Sequence, residues 1–245
     1  MPQQALHYFG VVVVLPRFMA STPTTEKVIP YALLGMTAVT GLVDAASFLS
    51  LGRVFTANMT GNIVLLAFAT AHVSGLSIAR SLTALLSFLV GAILGGRIMA
   101  RASADSQIRF AGQAFLLEVA FLLAASVCAI GYRGNLLEDS FQPFALIALT
   151  ALAMGTRIAA VRKLAIPDLT TTVLTLTITG IGAESSLAKG TNPRLARRVA
   201  SVAAMFLGAA LGAVVIRHSI SAALWLATAS SAVCSAALFR SARVR

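Results

Sequence analysis

Long apolar stretches alternate with short polar ones over almost the whole chain. Runs of about 20 residues, the length a transmembrane helix needs, fall at roughly 31–51, 80–100, 112–131, 142–162, 198–217 and 220–239, the last richer in Ala and Ser. Two further segments, roughly 55–72 and 168–182, are shorter and more polar. The second carries six Thr within residues 170–179 and offers only 13 positions between Asp168 and Gly182. It is too short and too polar to cross a bilayer alone. The pattern predicts an all-α integral membrane protein with six transmembrane helices and two short re-entrant or broken helices. The runs are of helix length, not the roughly ten-residue alternation of a membrane barrel.

Composition fits this reading. The chain has 245 residues, 58% hydrophobic and 11% charged, with mean hydropathy +0.88. A soluble domain carries about 25% charged residues. The net charge of +11 would suggest nucleic acid in a soluble protein. Here the basic residues sit mainly between apolar runs, where they orient the chain and attract anionic lipid. The expected partners are the lipid bilayer and a small solute, with a second copy of the chain as a further candidate and no nucleic acid. Cys128 and Cys234 lie inside apolar runs without metal-ligand spacing and read as small apolar residues. Residues 1–28 read as a flexible extension, with Met19 an alternative start, and residues 29–245 as one membrane domain.

Loop charge selects the topology. If all eight segments cross, eleven basic residues lie inside and seven outside, a poor bias. If the two short segments enter and leave on one side, only Arg53, Arg80, Arg133 and Arg217 lie outside, against fourteen inside, with Arg157 within a helix. The positive-inside rule favours the second arrangement, with both termini cytoplasmic.

The chain also matches itself. Gly91-Ala-Ile-Leu-Gly95 recurs as Gly208-Ala-Ala-Leu-Gly212, and Gly41-Leu-Val-Asp-Ala-Ala46 falls opposite Gly155-Thr-Arg-Ile-Ala-Ala160. Val127-Cys128 pairs with Val233-Cys234 at a shorter offset. Repeat halves of about 29–134 and 140–245 follow. Each holds three crossings, an odd number, so the repeat is inverted, 3+3. Matching short segments in two inverted halves point to a solute site between them.

Candidate residues follow. Asn58, Thr60, Gly61 and Asn62 stand at the turn into the first short helix, where polar side chains can replace a solute's hydration shell. Thr175 and Thr177 fall opposite Thr60 and Asn62. Pro167-Asp168 makes a helix start, with Asp168 as N-cap. Asp44, Arg157 and Glu118 are ionisable residues inside spans, which are costly there and usually face the interior. An Asp44–Arg157 ion pair near the repeat axis is expected, structural or functional. Glu118 is a site candidate whose long side chain reaches for the cytoplasmic interface. Gly91, Gly95, Gly208 and Gly212 form small-residue faces for close helix packing. His72 and His218 read as interface residues. No catalytic, metal or cofactor motif is present, so enzyme chemistry and cofactors are not expected.

Gly41-Leu-Val-Asp-Ala-Ala-Ser-Phe48, followed by Val54-Phe-Thr-Ala-Asn-Met-Thr-Gly-Asn-Ile-Val-Leu-Leu66, closely resembles the signature of the YoaK-like family. These are bacterial inner-membrane proteins carrying a domain of unknown function. The resemblance runs from about residue 30 to the C-terminus, and Asn58-Met-Thr-Gly-Asn62 is its most specific part. The second half departs from the family pattern at Gly155-Thr-Arg-Ile-Ala159 and at Thr175-Leu-Thr177. The resemblance implies a bacterial plasma membrane and brings no activity with it. The residues favour a small-solute transporter or channel with its site between the short segments. A non-transporting membrane protein that binds a protein or lipid partner is the alternative, and an intramembrane enzyme a third.

Overall fold

The computed structural model describes residues 23–103, 106–132, 141–165 and 174–243, with side chains described for 28–103, 106–132, 141–165 and 174–240. They form helices α1 (Pro23–Ser50), α2 (Met59–Thr70), α3 (Ile78–Ala100), α4 (Gln107–Cys128), α5 (Phe141–Leu164), α6 (Leu174–Ala183), α7 (Leu195–Ile216) and α8 (Ile220–Arg243), with one 3-10 turn at Ser186–Ala188. Six of them are long and apolar enough to cross a membrane, and α2 and α6 are the shorter apolar helices. α1 starts at Pro23, so it takes in the last residues of the expected N-terminal extension. Pro167 and Asp168, expected to start the second short helix, lie outside the described residues.

Small residues decide how the helices meet. A Cβ on Gly208 would run into the Ala38 carbonyl, and one on Gly91 into the Leu152 carbonyl. Gly41 fits against Met205 and Ala209, and Gly155 against Phe88 and Ala92. These are the same contacts at corresponding positions. In α1 and α5 the offset is 114 (41 to 155, 38 to 152), and in α3 and α7 it is 117 (91 to 208, 88 to 205). Backbones that touch through glycine gain dispersion contact where lipid offers no hydrophobic drive for association.

The rest of the packing repeats in the same way. α1 lies along α7 and α8 as α5 lies along α3 and α4, while α2 sits on α3 as α6 sits on α7. The contacts of α4 with α8 run antiparallel, from Gly112 beside Phe239 through Glu118 with Ser231 to Ser126 with Thr228. α1 and α5 are the most enclosed spans, 67% and 61% buried, whereas α3 and α7 are 22% and 17% buried and form the outer wall.

Contacts also fix which helix ends share a face. Tyr132, just past α4, donates to the Ser50 carbonyl at the end of α1, and Arg80 at the start of α3 lies against Gly52. The α1–α3 connection, α2 included, therefore starts and finishes at one end of the bundle. At the other end Ile29, Ile108, Leu164 and Leu238 gather, bringing together the start of α1, the start of α4 and the ends of α5 and α8. Among described side chains, that second end carries Arg97, Arg101, Arg109, Arg162, Lys163, Lys189, Arg194, Arg197, Arg198 and Arg240. The first end carries Arg53, Arg80 and Arg217.

Candidate functional site

Two apolar cores fill the bundle. One includes Leu51, Leu122, Leu146 and Leu224, the other Leu33, Met36, Phe115 and Val161. Between them, near mid-length of its helices, lies a polar cluster with one residue from each of α1, α4, α5 and α8. Arg157 Nη1 donates to Glu118 Oε1 at 2.9 Å and Arg157 Nη2 to Thr40 Oγ1 at 2.7 Å. Ser231 Oγ donates to the same Glu118 oxygen at 2.8 Å, and Met154 Sδ lies 2.9 Å from Nη2. Thr40, Glu118, Arg157 and Ser231 are all 0% exposed. Glu118 Oε2 and Arg157 Nε are buried without a partner.

This arrangement corrects two expectations. Arg157 is bonded to Glu118, not to Asp44, and Glu118 is wholly enclosed instead of reaching the interface. The reason lies in the chain after α1, which folds back beside Asp44. Asp44 Oδ1 accepts from the backbone N–H groups of Thr56 at 3.0 Å and Ala57 at 2.8 Å, and Oδ2 from Asn58 at 3.1 Å. A carboxylate holding three backbone donors is already satisfied. Arg157 still attracts Asp44 electrostatically, and Thr40 and Asp44 lie one turn apart on the same face of α1. Asp44 thus stands next to the cluster without closing it.

The same three N–H groups matter for α2. They belong to the turn just before α2 and to its N-cap Asn58, so Asp44 anchors the approach to the helix. Asn58 caps the helix, its Oδ1 accepting from the Gly61 N–H at 3.4 Å. Asn58 and Thr60 are exposed and Gly61 half-buried, whereas Asn62 is enclosed. Asn62 Oδ1 accepts from Phe55 N–H and its Nδ2 donates to the Ser81 carbonyl, each at 3.4 Å. Asn62 is therefore engaged in holding α2 to its neighbours. In the second half Thr175 is exposed and Thr177 buried. Arg198 donates to the Gly180 carbonyl at 2.7 Å and to Glu184 at 2.9 Å, pinning α6 to α7. Position 198 is the counterpart of Ser81 at the 117 offset, so each half fastens its short helix from the same point on the following span. The described residues of α2 and α6 do not touch, and the approach to α6, residues 166–173, lies outside them.

A groove opens between α1, the turn into α2, and α7 of the other half. Gly41, Asp44, Phe48 and Leu49 of α1, Phe55 and Asn58 of the turn, and Met205 and Ala209 of α7 line a volume of about 290 Å³. The rings of Phe48 and Phe55 stack at 4.9 Å and make one wall. Asp44 and Asn58 supply its polar groups, against an otherwise apolar lining. Ligand sites are apolar concavities with a few placed polar groups, about 300–1,000 Å³ for drug-sized ligands. This one suits something smaller. Sequence reasoning missed Thr40, Ser231, Phe48, Phe55 and Met205, since a hydroxyl or an aromatic ring in an apolar run gives no sign of which side it faces.

Residues 32–237 match the model of a family described as "Protein of unknown function (DUF1275)". The chain belongs to that family. It is also similar to the UPF0700 transmembrane protein YoaK of Bacillus subtilis (strain 168), 39% identical over 151 residues, which is 61% of this chain and 63% of that relative. The alignment thus spans under two thirds of the relative's length. No solved structure matches the chain. Membership in the DUF1275 family and the transmembrane relative agree with the six apolar helices: this is a multi-pass membrane protein. The groove and the buried cluster both fall within the matched residues.

Proposed function

We propose that this protein is a small-solute transporter or channel of the bacterial inner membrane, with a solute path beginning at the groove beside Asp44 and Asn58. The observation that carries the reading is that the groove is built from both halves: the turn into α2 from the first, Met205 and Ala209 on α7 from the second. A site at the interface of two repeats opens and closes when one half moves against the other. The reading takes the halves as inverted, which the antiparallel packing of α4 on α8 supports. It takes α2 and α6 as re-entrant, which the return of the α1–α3 connection to its starting end supports for α2. The basic end of the bundle is assigned to the cytoplasm by the positive-inside rule, with both termini there. Thr60 and Thr175, both exposed, then line the path from the two short helices.

The other readings are a partner-binding or lipid-binding protein without transport and an intramembrane enzyme. Flux measurements separate these readings. Proteoliposomes of the full chain are tested with small anions, small cations and neutral polar solutes. At least one class should cross faster than through empty liposomes, and Asn58→Leu, which changes an exposed side chain, should lose that flux while staying folded. Flux indistinguishable from empty liposomes for every class, or full flux in Asn58→Leu, would sink the proposal.

A further inference from the structure

Deep in the bundle the charges do not cancel. Glu118 is bonded to Arg157 and Asp44 lies within reach of the same guanidinium's field, so two carboxylates share one cation and one net negative charge remains among the three groups. An uncompensated charge at that depth is costly. The two carboxylates differ in their engagement. Both oxygens of Asp44 hold backbone donors, whereas Glu118 has two donors on Oε1 and none on Oε2. Oε2 is thus an enclosed acceptor with no hydrogen to accept.

We propose that Glu118 takes up and releases a proton at Oε2, and that the transport assigned above is coupled to this proton. The inference rests on the transport reading for its coupling, though not for the proton itself. The step is a plain protonation: a hydronium or water-borne proton forms the O–H bond at Oε2, the donor's O–H bond breaks, and Asp44, Glu118 and Arg157 taken together pass from one net negative charge to zero. Arg157 keeps its hydrogen bond to Oε1 in both states and acts as a positioning residue.

The groups facing Glu118 are compatible with this role. From α5 comes Arg157, from α8 the Ser231 hydroxyl and, further along, the Cys234 thiol, and from α1, through Arg157, Asp44. α3 also packs on α4, but its charges, Arg80 and Arg97, stand in its first and last turns. A metal cation suits the position poorly. It needs several oxygens, and here a guanidinium already sits 2.9 Å from the same carboxyl group.

The test is labelling of the reconstituted wild-type chain with dicyclohexylcarbodiimide, a hydrophobic reagent that attacks protonated carboxyl groups, with the modified residue located by mass spectrometry. Infrared spectra of the same liposomes read the C=O stretch of a protonated carboxyl without any reagent having to enter. Glu118 should be labelled, at a rate falling about tenfold per pH unit above its midpoint, as for any single titrating group. A pH-dependent carboxyl band should be present in the wild type and lost in Glu118→Gln. Labelling confined to other residues, together with no pH-dependent band that Glu118→Gln removes, overturns the proposal. Solute flux without either signal leaves transport standing and removes proton coupling. Both signals without flux for any solute class leave the proton site standing and remove transport.

Discussion

Replacing Arg157 with Met removes the one cation of the central cluster while keeping most of its volume. Glu118 Oε1 then keeps only the Ser231 hydroxyl, Thr40 Oγ1 loses its donor, and two enclosed carboxylates face each other's field with no counter-charge. Removing one partner of a buried ion pair costs about 3–5 kcal/mol, because the other charge is left uncompensated. For a chain of this size each kcal/mol lowers the melting temperature by about 2–4 °C, so Arg157→Met should melt roughly 6–20 °C below wild type. Glu118→Gln is expected to be milder. Its amide oxygen can still accept from Arg157 and Ser231, and the remaining Asp44 and Arg157 charges cancel. The double variant should recover about 1–3 kcal/mol relative to Arg157→Met alone, a coupling typical of residues in one network. The assay is detergent-solubilised protein heated with a thiol-reactive dye. Cys128 and Cys234 both sit half-buried within helices, so dye reaction should rise as the helices unfold. A double variant whose loss equals the sum of the single losses would refute the cluster as described.

Gly208→Ala and Gly91→Ala should each sharply reduce the yield of monodisperse protein on size-exclusion chromatography, since a Cβ there meets the carbonyl of Ala38 or Leu152, while Gly96→Ala, with open space around it, should behave as wild type. Asn62→Leu removes the acceptor of Phe55 N–H and the donor to the Ser81 carbonyl and should lower thermal stability by about 1–3 kcal/mol; a full-stability Asn62→Leu would return this residue to the list of free solute ligands. In a cysteine-free background, single cysteines placed at Ser77, Ser103 and Thr191 should react with an impermeant thiol reagent, Ser77 from outside and Ser103 and Thr191 only from inside. External reaction at Ser103 would restore eight crossings.

The helices themselves were legible in the sequence because length and apolarity suffice to place a span in lipid, where every backbone group must be satisfied within the helix. The small-residue faces were legible too. Gly91, Gly95, Gly208 and Gly212 were expected to pack closely, and all four approach the neighbouring span. The offsets of 114 and 117 that aligned the halves on paper are the offsets at which their contacts repeat.

The partners of the buried charges were not legible. A list of intramembrane ionisable residues names Asp44, Glu118 and Arg157 without saying which two meet. Symmetry put Asp44 with Arg157, but α1 and α5 touch only lightly, and the backbone of residues 56–58 reaches Asp44 first. That competition depends on how the chain turns after Leu51, a local path no periodicity reports. Asn62 shows the same limit. Its residue type suits a ligand or a fastener equally well, and only the placement of Phe55 N–H and the Ser81 carbonyl within reach makes it a fastener. Sequence determined which segments are long and apolar enough to cross and which small residues let them touch, because those follow from each segment's own composition. Tertiary structure decided which polar groups find one another and which oxygen of Glu118 is left without a partner, because a hydrogen bond depends on separations of a few tenths of an ångström between segments far apart in the chain.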